Sequence, residues 1–254
     1  MIILIKNKKV LLIAISIVIV VTIVAVLLII GLNKDKKPEA EEKIDVEQLE
    51  IQFNNIFNNT ENEYISTMYH IEENKSGKYD IKADIPYIHI DTNIDNKINK
   101  EINDIFIKKL LQIINKGQNY TVLKLDYTTS INKDILSLAI RCVLKEGSNA
   151  QRTIIKTYNY DLQKGKTIKI MEIIPEQKQE EIQEIINKRI QGEIKREKTI
   201  IEQGYNVYRR DPESDIYKLE NATEFYIENN ILYIIYCYGN NNYTSKIDII
   251  ITSI

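Results

Sequence analysis

Tyrosine and arginine gather in one stretch of this sequence. Residues 204–218, GYNVYRRDPESDIYK, set Tyr205, Tyr208 and Tyr217 beside Arg209 and Arg210. These two residue types combine broad apolar contact with directed hydrogen bonds, which is why recognition surfaces favour them. The stretch is about fifteen residues long, more than most connections need. A second group, Asn240, Asn241, Asn242 and Tyr243, follows Tyr238-Gly239 and offers amides and a ring of the kind that meet a sugar. Each group also has a structural alternative. The tyrosines can pack the loop onto a sheet while the arginines pair with Asp211 and Glu213, and Gly with Asn builds hairpin turns for backbone reasons. We take Tyr205, Tyr208, Arg209, Arg210, Asn240, Asn241, Asn242 and Tyr243 as candidate ligand contacts.

Patterns that would do bond-making chemistry are missing. The chain has two histidines, His70 and His89, with neither the pairing a zinc site needs nor the partners of a Ser-His-Asp arrangement. His89 alternates with Ile88 and Ile90 on the wetter face of an extended stretch, and His70 beside Tyr69 and Ile71 reads as a partly buried surface residue. The eight glycines are scattered, so no G-x-S-x-G elbow, Walker loop or G-x-G-x-x-G run occurs. Asp80 and Asp84 share a strand face, where a solvated edge accounts for them. Cys142 and Cys237 fall in predicted strands; they bridge if those strands are neighbours and otherwise stay as two thiols. With 34 Lys and Arg against 36 Asp and Glu, the net charge of -2 gives no broad footprint for nucleic acid. The expectation is a binding module, not an enzyme, with no catalytic residue, metal or cofactor.

The elements that would position these groups start after a membrane anchor. Residues 10–32 carry no charge, and about 23 residues at 1.5 Å per residue give roughly 35 Å, enough to span a hydrocarbon core of about 30 Å. The run is too long for a cleaved signal peptide. Residues 1–9 form a short basic tail, read as cytoplasmic, and residues 33–44 a charged, solvated tether. Residues 45–254 then form one extracytoplasmic domain. In it, Val46, Leu49, Phe53, Ile56 and Phe57 have the spacing of a short helix. Tyr79, Ile81, Ala83 and Ile85 alternate as a half-buried strand that Pro86 should end or mark as an edge. Ile94, Ile98, Ile102, Phe106, Leu110 and Ile113 line one face of a long helix, with Thr92 to cap it and Gly117 to stop it.

Strands follow at residues 120–127, 136–144 and 153–162. A Lys164-Gly165-Lys166 turn then leads into residues 167–170, as in an antiparallel meander. A second long helix opens at Pro175, presents Ile182, Ile185, Ile186, Ile190 and Ile194, and ends before Gly204. The last strands lie near residues 225–228, 232–238 and 243–251, the middle one apolar on both faces and therefore central. The fold class is α+β: an antiparallel sheet packed with two long helices.

Several of these residues carry a family resemblance: the run from Tyr79 through Ile85-Pro86, Ile98-Asn99, Leu136-Ser137-Leu138, and Thr157-Tyr158-Asn159-Tyr160-Asp161-Leu162 with Gly165-Lys166. This part of the chain, from Tyr79 onward, resembles an extracytoplasmic domain of unknown function. That domain is shared by the lysozyme-responsive anti-sigma-V factor and the N-terminal module of Gram-positive peptidoglycan deacetylases. The resemblance implies a domain facing the cell wall. The nine residues before the anchor leave no room for a sigma-binding segment. The deacetylases' catalytic domain, with its Asp and metal-binding His pair, has no counterpart before Ile254. The stretch from Tyr238 to Tyr243 also departs from the Pro-Tyr-containing segment of the family.

The function expected is binding or sensing of a cell-envelope ligand, peptidoglycan or a lysozyme-like protein, by a single-pass membrane protein with no nucleic-acid partner. The alternatives are a wall hydrolase with unidentified carboxylates and a structural envelope protein.

Overall fold

The computed structural model describes residues 53–90, 93–117, 119–238 and 246–254, all inside a compact unit running from Glu47 to Ile254. The expected anchor, tether and cytoplasmic tail lie outside the described residues, as do Val46, Leu49, Thr92 and Asn240 to Tyr243. No helix among the described residues is long and apolar enough to cross a membrane.

The chain builds two sheets. The first has six strands in sequential order: β1 (Ile65–Lys75), β2 (Tyr79–Ile88), β3 (Thr121–Asn132), β4 (Ile135–Glu146), β5 (Arg152–Asp161) and β6 (Lys166–Thr167). The second has three: β7 (Phe225–Glu228), β8 (Ile231–Tyr238) and β9 (Lys246–Ser253), with β8 central as its two apolar faces require. The fold is thus α+β, but the expected all-antiparallel sheet is corrected in one place. β2 and β3 pair in parallel, because a helical crossover returns the chain to the end from which β2 began. One strand was also missed. β1 lies on the sheet edge and is mostly exposed beyond Ile65, so it lacks the alternation that marks a half-buried strand.

Pro86 does not end β2, which continues to Ile88. Parallel pairing with β3 stops at Ala83, and β1 shifts register between Thr67 and Tyr69, opposite Pro86. The missing proline N–H therefore falls where the ladder is already irregular.

The crossover comprises α1 (Asn93–Ile102), a π-helical turn (Asn103–Ile107) and α2 (Lys108–Lys116). The apolar residues explain the π turn. Ile98, Ile102, Phe106 and Leu110, all buried, repeat every fourth position, and in a 3.6-residue helix each such step drifts about 40° around the axis. A wider π turn takes up that drift and keeps Phe106 and Leu110 on the sheet.

The sheets stack face to face between helices. Leu136, Leu138, Ile140 and Cys142 of β4 face the α1–α2 side in one core. The next core joins Ala139 and Ile155 of the first sheet to Tyr226, Tyr233, Ile235 and Ile249 of the second, with Phe53 and Phe57. On the far face, Leu232, Ile234, Tyr236 and Ile250 meet Ile182, Ile186 and Ile190 of α3 (Glu176–Glu202). The order of layers is helix, sheet, sheet, helix. The two cysteines belong to different layers and are both free: Cys142 is buried on the helix side of β4, whereas the Cys237 thiol donates to the Thr153 carbonyl at 2.8 Å. The alternative of a disulfide is thereby corrected.

Hydrogen bonds fasten the second sheet to the first. The Asn159 amide donates to the Phe225 carbonyl at 2.7 Å and accepts from Ser137 Oγ at 2.6 Å, all three residues being buried. Glu224 accepts from the Thr157 N–H at 2.6 Å and hydroxyl at 3.0 Å. The motif from Thr157 to Leu162 is therefore architectural: Tyr158 and Tyr160 fill the helix-side core while Thr157 and Asn159 hold β7. Asp161 shapes the turn by accepting from the Gln163 and Lys164 N–H groups, and Gly165 supplies a φ of 64°. Replacing Asn159→Ala strands the Ser137 hydroxyl and the Phe225 carbonyl in the interior. The expected loss is about 3 kcal/mol, read as a lower urea midpoint with an unchanged slope.

Candidate functional site

The candidate loop begins at the end of α3. The Gly204 N–H bonds to the Ile201 carbonyl at 2.8 Å and the Tyr205 N–H to the Ile200 carbonyl at 3.2 Å, the pair of bonds that closes a Schellman motif. That motif needs a left-handed residue at Gly204, which has φ 88°. Tyr205 emerges directly from it and is 65% exposed.

Arg210 turns inward instead. Its side chain is only 5% exposed and grips Asp248 of β9 with two bonds of 2.6 Å, from Nε and Nη2. Glu197 and Glu193 of α3 lie 3.4 and 3.7 Å from the same guanidinium. Arg189 adds a 2.7 Å contact to Glu193, and Arg196 a looser one at 3.5 Å. This buried network sits where α3 changes character: its first half faces the sheet with isoleucines, and its second half with Arg189, Glu193 and Glu197. Burial alone would lower the Arg210 pKa, but the bonds to Asp248 and the field of Glu193 outweigh it and raise the pKa above the ordinary arginine value. The Arg189 Nε and Nη2 groups, and the Tyr236 hydroxyl, are buried without a hydrogen-bond partner among the described residues.

Aromatic rings continue the cluster. Tyr208 stacks on Tyr238 with centroids 5.2 Å apart, the Arg210 guanidinium lies 5.4 Å from the Tyr238 centroid, and Tyr217 meets Tyr236 edge to face at 5.3 Å. Burial, then the charge of Asp248, pushes the Tyr238 phenol pKa up, so that phenol stays neutral. Gln183 of α3 ties down the return of the loop, donating to the Tyr217 carbonyl at 2.9 Å and accepting from the Leu219 N–H at 2.8 Å.

The expected contacts therefore divide. Tyr208 and Arg210 are half-buried and buried supports, and Tyr205 and Arg209 are the exposed members. The alternative pairing of the arginines with Asp211 and Glu213 is corrected for Arg210, whose partners are Asp248, Glu197 and Glu193. Asp211 accepts from the Glu213 N–H at 3.1 Å and shapes the loop locally. Tyr208 and Arg210 also touch Tyr238, and the second candidate group, Asn240 to Tyr243, lies outside the described residues. Asp248, Glu193 and Glu197 were missed, since isolated acids on a strand and a charged helix look solvated in one dimension.

The remaining reactive groups are elsewhere. His70 Nδ1 sits 2.5 Å from Asp84, which is buried and also accepts from Asn59 at 2.8 Å; Asp84 is thus no solvated edge residue. His89 Nε2 lies 2.7 Å from Ser66 Oγ. Among the described residues no group of three or more His, Cys, Asp or Glu is arranged to hold a metal.

The fold and this cluster define a two-sheet α+β domain with a tyrosine- and arginine-bearing loop pinned by buried charge. No protein-family model matches the chain, and no curated relative does. Among solved structures, it is similar to a DUF3298 family protein from Pseudomonas aeruginosa. The two are 8% identical over 72% of this chain and 86% of the other, with a TM-score of 0.40. It is also similar to a DUF3298 family member from Bacteroides fragilis, with 14% identity over 62% of each chain and a TM-score of 0.34. Its neighbours are thus proteins of a family named as a domain of unknown function, and the chain spans less than two thirds of the second.

Two substitutions test the site's construction. Asp248→Asn removes the charge that Arg210 faces, leaving a buried guanidinium poorly compensated, and is expected to cost about 3 to 5 kcal/mol in denaturant unfolding. Gly204→Ala meets no neighbouring atom within 4 Å, so its cost is conformational alone, about 1 kcal/mol, seen as a small drop in melting temperature.

Proposed function

We propose that this chain is a membrane-tethered extracytoplasmic domain that binds or senses a cell-envelope ligand, either peptidoglycan glycan or a lysozyme-like wall-degrading protein. The observation that carries this reading is the division of labour in the loop. Tyr205 and Arg209 are exposed while Tyr208 and Arg210 are held by ring stacking and by Asp248. A contact pair on a pre-organised loop loses little conformational entropy on binding. The uncharged run at residues 10–32 supplies the tether. The resemblance from Tyr79 onward to the modules of the anti-sigma-V factor and the peptidoglycan deacetylases supports the envelope as its setting.

Catalysis has less support. Burial pushes the Cys142 thiol up to about 12 and the Cys237 thiol up to about 11, which keeps both poor nucleophiles. The Ser66–His89 pair has no carboxylate bonded to the histidine among the described residues.

Calorimetry of residues 45–254 with lysozyme and with soluble peptidoglycan fragments tests the reading. Saturable binding to one of them is expected, without turnover. Tyr205→Ala and Arg209→Ala should each weaken it roughly fivefold to thirtyfold, corresponding to about 1 to 2 kcal/mol. Heats at the level of dilution for both ligands would overturn it.

A further inference from the structure

At the other end of β8, about 23 Å along the strand from Tyr238, three hairpin tips converge on a groove of about 250 Å³. They are the turns between β3 and β4, between β5 and β6, and between β7 and β8. The turns brace one another and the chain end: the Leu162 N–H bonds to the Asp134 carbonyl at 2.8 Å, and the Ile254 N–H to the Asn230 carbonyl at 3.0 Å.

The groove has a rim of three lysines and two carboxylates, Asp161 and Glu172, and a partly apolar floor. Lys133, Lys164 and Lys166 line it, together with Ile135, Ile173 and Pro175. Lys164 and Lys166 are already matched within the protein, Lys164 to Asp161 at 3.0 Å and Lys166 to Glu172. Asp161 and Glu172 are in turn engaged by backbone N–H groups. Lys133 has no carboxylate partner among the described residues.

Lys133 is also the wrong residue for its turn. It occupies the first position of a two-residue loop between the paired Asn132 and Ile135, with φ 57°. Tight hairpins put Gly or Asn at such positions, because a long side chain is strained there. The β7–β8 turn follows that rule with Asn229 and Asn230, at φ 51° and 62°. A lysine in left-handed backbone, with no carboxylate partner among the described residues, sets a cation on the rim of the groove at the expense of local backbone stability.

We propose that this groove is a second binding site, for a small organic anion whose carboxylate or phosphate is held by Lys133 beside Lys164 and Lys166 while its apolar body rests on the isoleucine and proline floor. The site is independent of the Tyr205–Arg209 loop, so either can fail without the other.

The test is calorimetry of the full chain in detergent micelles against benzoate, phenyl phosphate and inorganic phosphate, with thermal unfolding of the same samples. At least one organic anion should bind saturably and more tightly than inorganic phosphate, and benzoate against phenyl phosphate then tells which oxyanion is preferred. Lys133→Gly and Lys133→Asn both relieve the strained backbone and delete the charge. Each should weaken binding by about tenfold or more, as expected for loss of one charge-assisted bond, with a melting temperature equal to or above that of the parent. The proposal is overturned if neither organic anion binds, if inorganic phosphate binds as well as both, or if the two variants bind like the parent. It is also overturned if they lose stability together with binding, which would make Lys133 a structural residue.

Discussion

The second sheet exists as a layer because β5 satisfies its edge. The three-stranded sheet is apolar on both faces and needs a layer against each, and β7 would leave backbone groups unpaired against the apolar face of the first sheet. Asn159 and Thr157 supply those partners at Phe225, and Glu224 closes the arrangement on Thr157 and, at 3.0 Å, on Lys156. These are bonds whose loss is more costly than their formation is favourable, since a buried amide or carbonyl left unpaired bears its full desolvation cost. Strand alternation lets the same few residues serve the other core, where Tyr158 and Tyr160 face α1 and α2. Both hydrophobic layers are thus registered by one strand.

With the second sheet in place, its outer face decides how α3 can pack. Over Leu232 and Ile234 the helix meets apolar surface and presents isoleucines. Further along, β9 presents Asp248, 1% exposed, and an isolated carboxylate there would be prohibitive. Arg210 answers it from the loop, and the acids and arginines of α3 complete a network of near-balanced charge. Such a network adds little net stability compared with an apolar core, but it penalises every arrangement in which one member is missing. Its consequence is positional: the loop has one seat, and Tyr205 and Arg209 are carried to the surface by the residues beside them.

The two ends of the second sheet are built on different principles. At the Tyr238 end, exposed side chains stand on a base of rings and paired charge. At the Asn230 end, three tight turns surround a groove, and the feature that stands out is a lysine where turn geometry asks for glycine or asparagine. Both ends are made from connections, which is where a rigid scaffold leaves side chains free to meet other molecules.

Local rules alone determined much of this protein. The 3.6-residue period placed both long helices, the alternation of two placed β2, and the paired apolar faces of β8 marked it as central, because burial of a face imposes a period that one dimension can show. The length and lack of charge at residues 10–32 predict an anchor on the same kind of evidence. Tertiary structure alone decided what depends on partners distant in sequence. The edge strand β1 has no buried face to leave a pattern, and the parallel pairing of β2 with β3 is a property of the crossover, not of either strand. Arg210 looked like a surface residue because its partners Asp248 and Glu193 lie 38 and 17 positions away, brought to it only when α3 and β9 pack together. Sequence shows which groups must be buried or paired; which group pairs with which is a matter of long-range packing, and that is where the division between supporting and exposed residues in the loop was made.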